Sequence, residues 1–201
     1  MNTIEAIESR RSVKLFDPEY RISQEEQQQL LALAMLSPTA FNIQHWRFVV
    51  ISDPVLRLAI RDAAWNQAQV TDSALFIVLC ADMQAWQKQP ERYWVNSGPD
   101  VQNAIVPMID NYYRDKPQVQ RDEALRSCGM AAQTLMLAAK SLGLDSCPMD
   151  GFDFQKVAEL IKLPDDHLIA MCVAIGKALQ PAKARGGQLS YQQVVIDNRF
   201  S

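Results

Sequence analysis

The stretch Cys128-Gly129-Met130-Ala131-Ala132-Gln133-Thr134-Leu135-Met136-Leu137-Ala138-Ala139 constrains this chain more than any other. It is apolar almost all round, in residues that favour helix, and such a helix must be covered on every side. The helical pattern runs from about Asp122 to Leu142 and closes at Gly143, a C-cap residue. A chain of 201 residues can hide such a helix in a core or against another subunit. The small residues Gly129, Ala131, Ala132 and Ala138 let neighbouring backbones come close.

What must lie against it reads as sheet. Phe48–Ile51, Ala74–Cys80 and Leu168–Ile175 are continuous apolar runs of strand length, the pattern of strands buried on both faces. Between them stand helix signals. Ile4 and Ile7 mark a short first helix ending near Arg10. Ser23 followed by Glu26 is a capping box, opening a helix through Leu30, Leu31, Leu33 and Ala34 that stops before Ser37-Pro38. Asp53-Pro54 starts another, and Asp153 caps one through Val157, Ala158, Leu160 and Ile161. Residues 82–98, with Trp86, Tyr93 and Trp94, read as an excursion or lid. A helix follows from about Asp100 to Arg114, with a kink or break expected at Pro107, and then a charged linker to Arg121. Tyr191–Ile196 alternates weakly, as an edge strand would. Three or four short strands among many helices give one α+β domain over 1–201, with a lid at about 82–120.

Several functions lose support. With 20 basic and 23 acidic residues, a net charge of −3 argues against a nucleic-acid partner. No apolar run is long enough for a bilayer, and the N-terminal residues lack the regions of a signal peptide, so the protein is expected in the cytoplasm, away from membranes. The four cysteines form no CxxC pair, and His45 and His167 stand alone, so no metal site is expected. No GxGxxG, GxxxxGK[ST] or GxSxG can be drawn through the seven glycines.

One segment carries chemistry. Arg10-Arg11-Ser12-Val13-Lys14 packs three cations and a hydroxyl into five positions. Forked donors, a mobile ammonium and a hydroxyl suit a large anion with several oxygens, such as a phosphate on a ribityl chain. The alternative is a solvated basic turn.

Together with Leu15-Phe16-Asp17, that segment resembles the RxSxxxFD motif of the flavin-dependent nitroreductase family. Ser37-Pro38-Thr39-Ala40-Phe41-Asn42-Ile43-Gln44-His45-Trp46 is similar to its SPSxxNxQPW segment, with His45 in place of the usual Pro. Cys147-Pro148-Met149-Asp150-Gly151-Phe152-Asp153 resembles its PxxGFD segment, and Ala174–Lys177 its late strand and turn. The matches fall in the family's order across nearly the whole chain. They look like the short bacterial and cyanobacterial NAD(P)H nitroreductase and quinone reductase branch.

The resemblance implies a nitroreductase-like sandwich, a mostly antiparallel sheet flanked by helices, in a homodimer that swaps its tails. It implies two FMN sites at the interface, with NADH or NADPH as reductant and a small planar nitroaromatic or quinone as acceptor, taken by ping-pong hydride transfer. Carried over, Arg10, Ser12 and Lys14, with Arg11 beside them, would hold the phosphate, ribityl and ring N1/O2 region. Asn66 and Gln69 would read the pyrimidine edge. Pro38, Thr39 and Asn42 would come from the other subunit. Pro148, Met149, Asp150 and Gly151 would line the ring face, and Lys183 and Arg185 would complete the phosphate site. Phe41, Tyr112 and Tyr113 would limit the acceptor pocket. No side chain need act as acid or base; Lys14 would act electrostatically. Other roles stay open. Asn42 can serve its turn, Asp150 can act through its backbone, Lys183 can be solvated, and Trp46 reads as core. A dehalogenase, an enal reductase, a flavin-consuming enzyme or a non-enzymatic FMN store or sensor are the alternative functions.

Overall fold

A computed structural model describes residues 1–200. Four strands, β1 (Trp46–Val50), β2 (Leu75–Asp82), β3 (Asp145–Met149) and β4 (His167–Gly176), form one sheet in the order β1-β2-β4-β3. All three pairings are antiparallel. Among the described residues there are eight helices, α1 (Thr3–Ser9), α2 (Gln24–Ala34), α3 (Pro54–Ala63), α4 (Gln69–Asp72), α5 (Pro99–Tyr113), α6 (Pro117–Ser141), α7 (Phe154–Leu160) and α8 (Tyr191–Val194), the last in the exposed tail. Short 3-10 turns span Ala40–Asn42, Ala85–Gln87 and Pro90–Trp94.

β2 lies between β1 and β4, and all eight of its residues are buried. Successive side chains of a strand face opposite ways. Phe76, Val78 and Cys80 therefore meet Ile60 and Ala63 of α3 and Val157 of α7, whereas Leu75, Ile77, Leu79 and Ala81 meet Leu30 of α2 and Ala124, Cys128, Ala131 and Leu135 of α6. The result is three layers, helices on both faces of one sheet. Local chemistry sets the boundaries as expected. Ser23 and Glu26 form a reciprocal capping box, Asp53 caps α3 with Pro54 at its first position, and Asp153 caps α7. Gly143, at φ +75°, ends α6 and turns the chain so that Leu144 N–H reaches Ala139 O.

The central helix is longer than its apolar pattern. It starts at Pro117, so the linker after α5 shrinks to residues 114–116. Pro fits the first helical turn, where its missing N–H is no loss. Pro107 does not break α5, which runs unbroken from Pro99 to Tyr113. The expected edge strand at 191–196 is instead α8, opened by a capping box of Ser190 and Gln193. β3 contains Pro148, which an edge strand tolerates because one side of its backbone has no partner strand.

The region read as a lid has a core of its own. Ile43, Ala85, Trp86, Ile109 and Tyr113 form a separate small core. Trp86 stacks on Tyr113 with ring centroids 5.9 Å apart. Trp94 Nε1 donates to Phe41 O at 3.1 Å, tying this region to the 39–44 turn.

Candidate functional site

The segment after α1 is stitched to the sheet at one edge. Ser12 bridges Ser146 in parallel, Val13 N–H donates to Ser146 O at 3.0 Å, and Phe16 bridges Ala178. Val13 and Phe16 point into the core. The alternation then turns Ser12 and Lys14 outward, beside β3 and the chain that follows β4.

Here the cations converge. Arg10, Arg11, Ser12, Lys183 and Arg185 line a cavity of about 490 Å3, and Ser12, Lys14 and Lys183 line an adjoining one of about 610 Å3. Arg185 reaches back to donate to Ile7 O and Arg10 O, both at 3.3 Å. Arg10 is half-buried, and burial first, then the charges of Arg185 and Arg11, pull its pKa down. Arg10 Nη1 is buried with no hydrogen-bond partner. None of these five cations forms an ion pair among the described residues. Clustered like charges and an orphaned buried donor are groups that a polyanion would satisfy.

The floor is less polar than its motif. Lys14 lies beside the Cys147 thiol, whose pKa burial raises even though Lys14 and Arg10 oppose the rise. Met149 is 4% exposed and packs in the core, so only its backbone is free to meet a ligand. Asp150 is exposed. Gly151 is held close: a Cβ there would lie 2.9 Å from Trp65 Cζ3.

The polar pair at 65–69 differs from the expected assignment. Trp65 and Asn66 both adopt positive φ, which turns this loop sharply. Asn66 accepts from Arg61 Nε at 2.7 Å. Gln69 is 3% exposed and donates to Gln67 Oε1 at 3.0 Å. Gln67, absent from the expected set, reaches Gly151 O with its Nε2 at 2.7 Å. Gln67 thus joins this loop to the PxxGFD segment, and Gln69 backs it from within. Its only sequence signal was its place between the two residues named.

Pro38, Thr39 and Asn42 are not drawn to Arg10 within one protomer. Thr39 Oγ1 accepts from Gln44 N–H at 3.1 Å, and Asn42 Nδ2 donates to Tyr93 O at 2.8 Å. Positive φ at Phe41, Asn42 and Gln44 shapes the turn. The aromatic pair divides. Tyr113 is fully buried, with its Oη unpartnered, so within one protomer it packs the small core and offers no exposed surface to a pocket. Tyr112 is 38% exposed and lies 5.3 Å from the Phe41 ring. Its Oη donates to Glu123 Oε1 at 3.0 Å, and Glu123 also pairs with Arg126. That bond to the carboxylate raises the Tyr112 pKa.

A three-layer α+β sandwich with a cationic cleft on one sheet edge and a small aromatic core beside it has the nitroreductase fold. The profile of the nitroreductase family matches residues 7–177, and the chain belongs to that family. It is 55% identical over 185 residues to protein DrgA of Synechocystis, covering 92% of this chain and 88% of that protein. It is 27% identical to the oxygen-insensitive NADPH nitroreductase of Helicobacter acinonychis, covering 89% of each. A structure from Exiguobacterium sibiricum, named as a nitroreductase and solved in complex with FMN, superposes with a TM-score of 0.90 at 29% identity, covering 98% of this chain and 97% of that one.

Proposed function

We propose that this protein is an FMN-dependent oxidoreductase that takes electrons from NADH or NADPH and delivers them to small planar acceptors, nitroaromatics or quinones. The observation that carries the reading is the convergence of Arg10, Arg11, Lys183 and Arg185 on one cleft, with Arg10 Nη1 buried and unpartnered. These residues fit the phosphate of FMN, and Ser12 fits its polyhydroxyl chain. FMN supplies the two-electron redox chemistry when bound.

The chain's own residues bind and orient. Lys14, lining the adjoining cavity, would place a positive charge where negative charge grows on the ring, an electrostatic role. Asn66, braced by Arg61, would present its amide to the pyrimidine edge, with Gln67 pinned beside it by Gly151 and Gln69. Gly151 leaves room for the ring face beside Trp65. If the bound ring keeps one face open, reductant and acceptor would have to occupy that face in turn, which is ping-pong kinetics. Tyr112 and Phe41 bound that space, and no acid or base side chain is required.

A homodimer belongs to this reading. In one protomer α6 leaves Met130 40% exposed, and Leu36 of the adjoining turn is 79% exposed. The chain from Leu179 to Phe200 is almost wholly exposed and carries Leu189, Tyr191, Val194 and Phe200 outward, as an arm reaching a second copy would. Pro38, Thr39 and Asn42 would then serve the partner's cleft.

The test is the absorption spectrum of the purified protein before and after anaerobic NADH or NADPH, with mass analysis of the released chromophore. A yellow protein holding FMN, bleached by either nucleotide and restored by a nitroaromatic or quinone, is the expected result. A colourless protein overturns the reading, and a yellow one that resists bleaching is an FMN store or sensor. The 28% identity to the CLA biosynthesis enone reductase of Lactiplantibacillus plantarum keeps one other acceptor class in view, so an enone belongs in the same screen.

A further inference from the structure

A second cavity, of about 380 Å3, shares no lining residue with the cationic cleft. It opens between the turn before α2, the first turns of α3 and the start of β2. Two guanidiniums, Arg21 and Arg57, face it with the hydroxyl-bearing residues Ser52, Thr71 and Ser73, and no carboxylate lines it.

Neither arginine has a counter-ion among the described residues. Arg57 Nη1 donates to Ser73 O at 2.9 Å and Nη2 to Ser73 Oγ at 3.4 Å, while Nε is buried without a partner. Arg21 Nη1 donates only to the carbonyls of Pro18 and Tyr20. The carboxylate whose charge acts on Arg57 is Asp72, but Asp72 Oδ1 accepts from Thr71 and lies 3.9 Å from Arg61. Asp53 is committed to capping α3. Burial lowers the Arg57 pKa, and the nearby charge of Arg21 lowers it further. An anion between them would relieve that repulsion and gain charge-assisted hydrogen bonds. Leu58, 56% exposed, and Pro54 give the rim an apolar surface that a bare inorganic ion would not use.

We propose that this cavity binds a small phosphate monoester, the phosphate between Arg21 and Arg57 and the organic part against Leu58 and Pro54, at a site separate from the flavin cleft. The ester is a ligand there and undergoes no reaction.

Calorimetric titration of the full-length protein as purified, with whatever flavin it carries, tests this. Glucose 6-phosphate is the probe, inorganic phosphate the bare ion and glucose the neutral control. Saturable binding of glucose 6-phosphate is expected, weaker binding of phosphate, and none of glucose. Arg21→Gln should weaken the ester at least about tenfold, and Leu58→Asp, which sets a carboxylate on the rim, should do the same. Both side chains are largely on the surface, so thermal stability and flavin content should not change. No saturation below about 10 mM of either anion, a Kd too weak to matter for a cellular metabolite, overturns the proposal. So does unaltered affinity in both variants. Affinity that falls as added FMN fills its own cleft would put the anion there instead. A colourless protein would refute the redox reading and leave this measurement intact.

Discussion

Lowering the pH should destabilise this protein through a histidine whose burial disfavours its protonated form. His45 is completely buried, its Nε2 has no partner, and its Nδ1 lies 3.3 Å from Ser127 Oγ. Burial pushes its pKa from 6.5 down to about 4, with Glu123 and Asp82 opposing the shift and Arg47 adding to it. The folded value lies below the unfolded one, so as pH falls the unfolded chain takes up the proton first. Stability is therefore intact above about pH 6.5 and is lost as pH falls towards 4. Between about pH 8 and about pH 5 the loss from this one group is about 2 kcal/mol, levelling near about 3 kcal/mol below pH 4. Urea unfolding of the wild type and of His45→Gln, at one protomer concentration and matched flavin loading, isolates it. The wild type should lose about 2 kcal/mol more than the variant over that range. With only two histidines in the chain, imidazole NMR gives an independent reading: one resonance, assigned by its absence in His45→Gln, should stay put down to about pH 5. A His45 midpoint near 6.5, or parallel pH profiles, would refute the argument.

Lys14→Ala should cost about 1.5–3 kcal/mol of FMN affinity, read as a faster loss of flavin on dialysis, and should lower the reduction potential of what remains; unchanged affinity and potential would make Lys14 a bystander. Tyr113→Phe should be neutral or stabilising because it removes a buried hydroxyl with no partner, whereas Tyr113→Ala should cost about 3–5 kcal/mol in thermal or urea unfolding. Tyr112→Ala should leave the melting temperature nearly unchanged but shift kcat/KM for a bulky nitroaromatic more than for a small quinone; equal shifts would remove it from the pocket. Asp82, 2% exposed, accepts from Arg47 at 2.8 Å and Lys88 at 2.9 Å, both of which are partly exposed. Asp82→Asn should therefore cost about 2 kcal/mol in urea unfolding, below the full cost of breaking a buried pair.

The layers were legible because burial leaves a mark on composition. A strand covered on both faces must be apolar at every position, and Phe48–Ile51, Ala74–Cys80 and Leu168–Ile175 are. Helix starts were legible because the cap is local chemistry: Ser23 with Glu26, Asp53 before Pro54, and Asp153 all act within four residues of the end they satisfy. The cations at 10–14 stood out for the same reason, being dense in sequence. β3 was not legible, since Asp-Ser-Cys-Pro-Met has neither alternation nor an apolar run, and it becomes a strand because β4 offers it a partner edge.

What only the tertiary structure decided is where side chains point in irregular backbone. Tyr112 and Tyr113 are adjacent and alike, yet a helix turns consecutive residues about 100° apart, and Trp86 with His45 lies on one side only. Gln67 and Gln69 are the same residue two positions apart, and the turn at Trp65 and Asn66 sends one to Gly151 and the other inward. Lys183 and Arg185 lie some 170 residues from Arg10, and the Phe16 bridge to Ala178 brings them to it. The sequence by itself determined which segments must be buried and which termini are capped, because those depend on composition and near neighbours. Which chemically equivalent residue faces the site depends on packing between distant segments, and that information exists only once the chain has closed on itself.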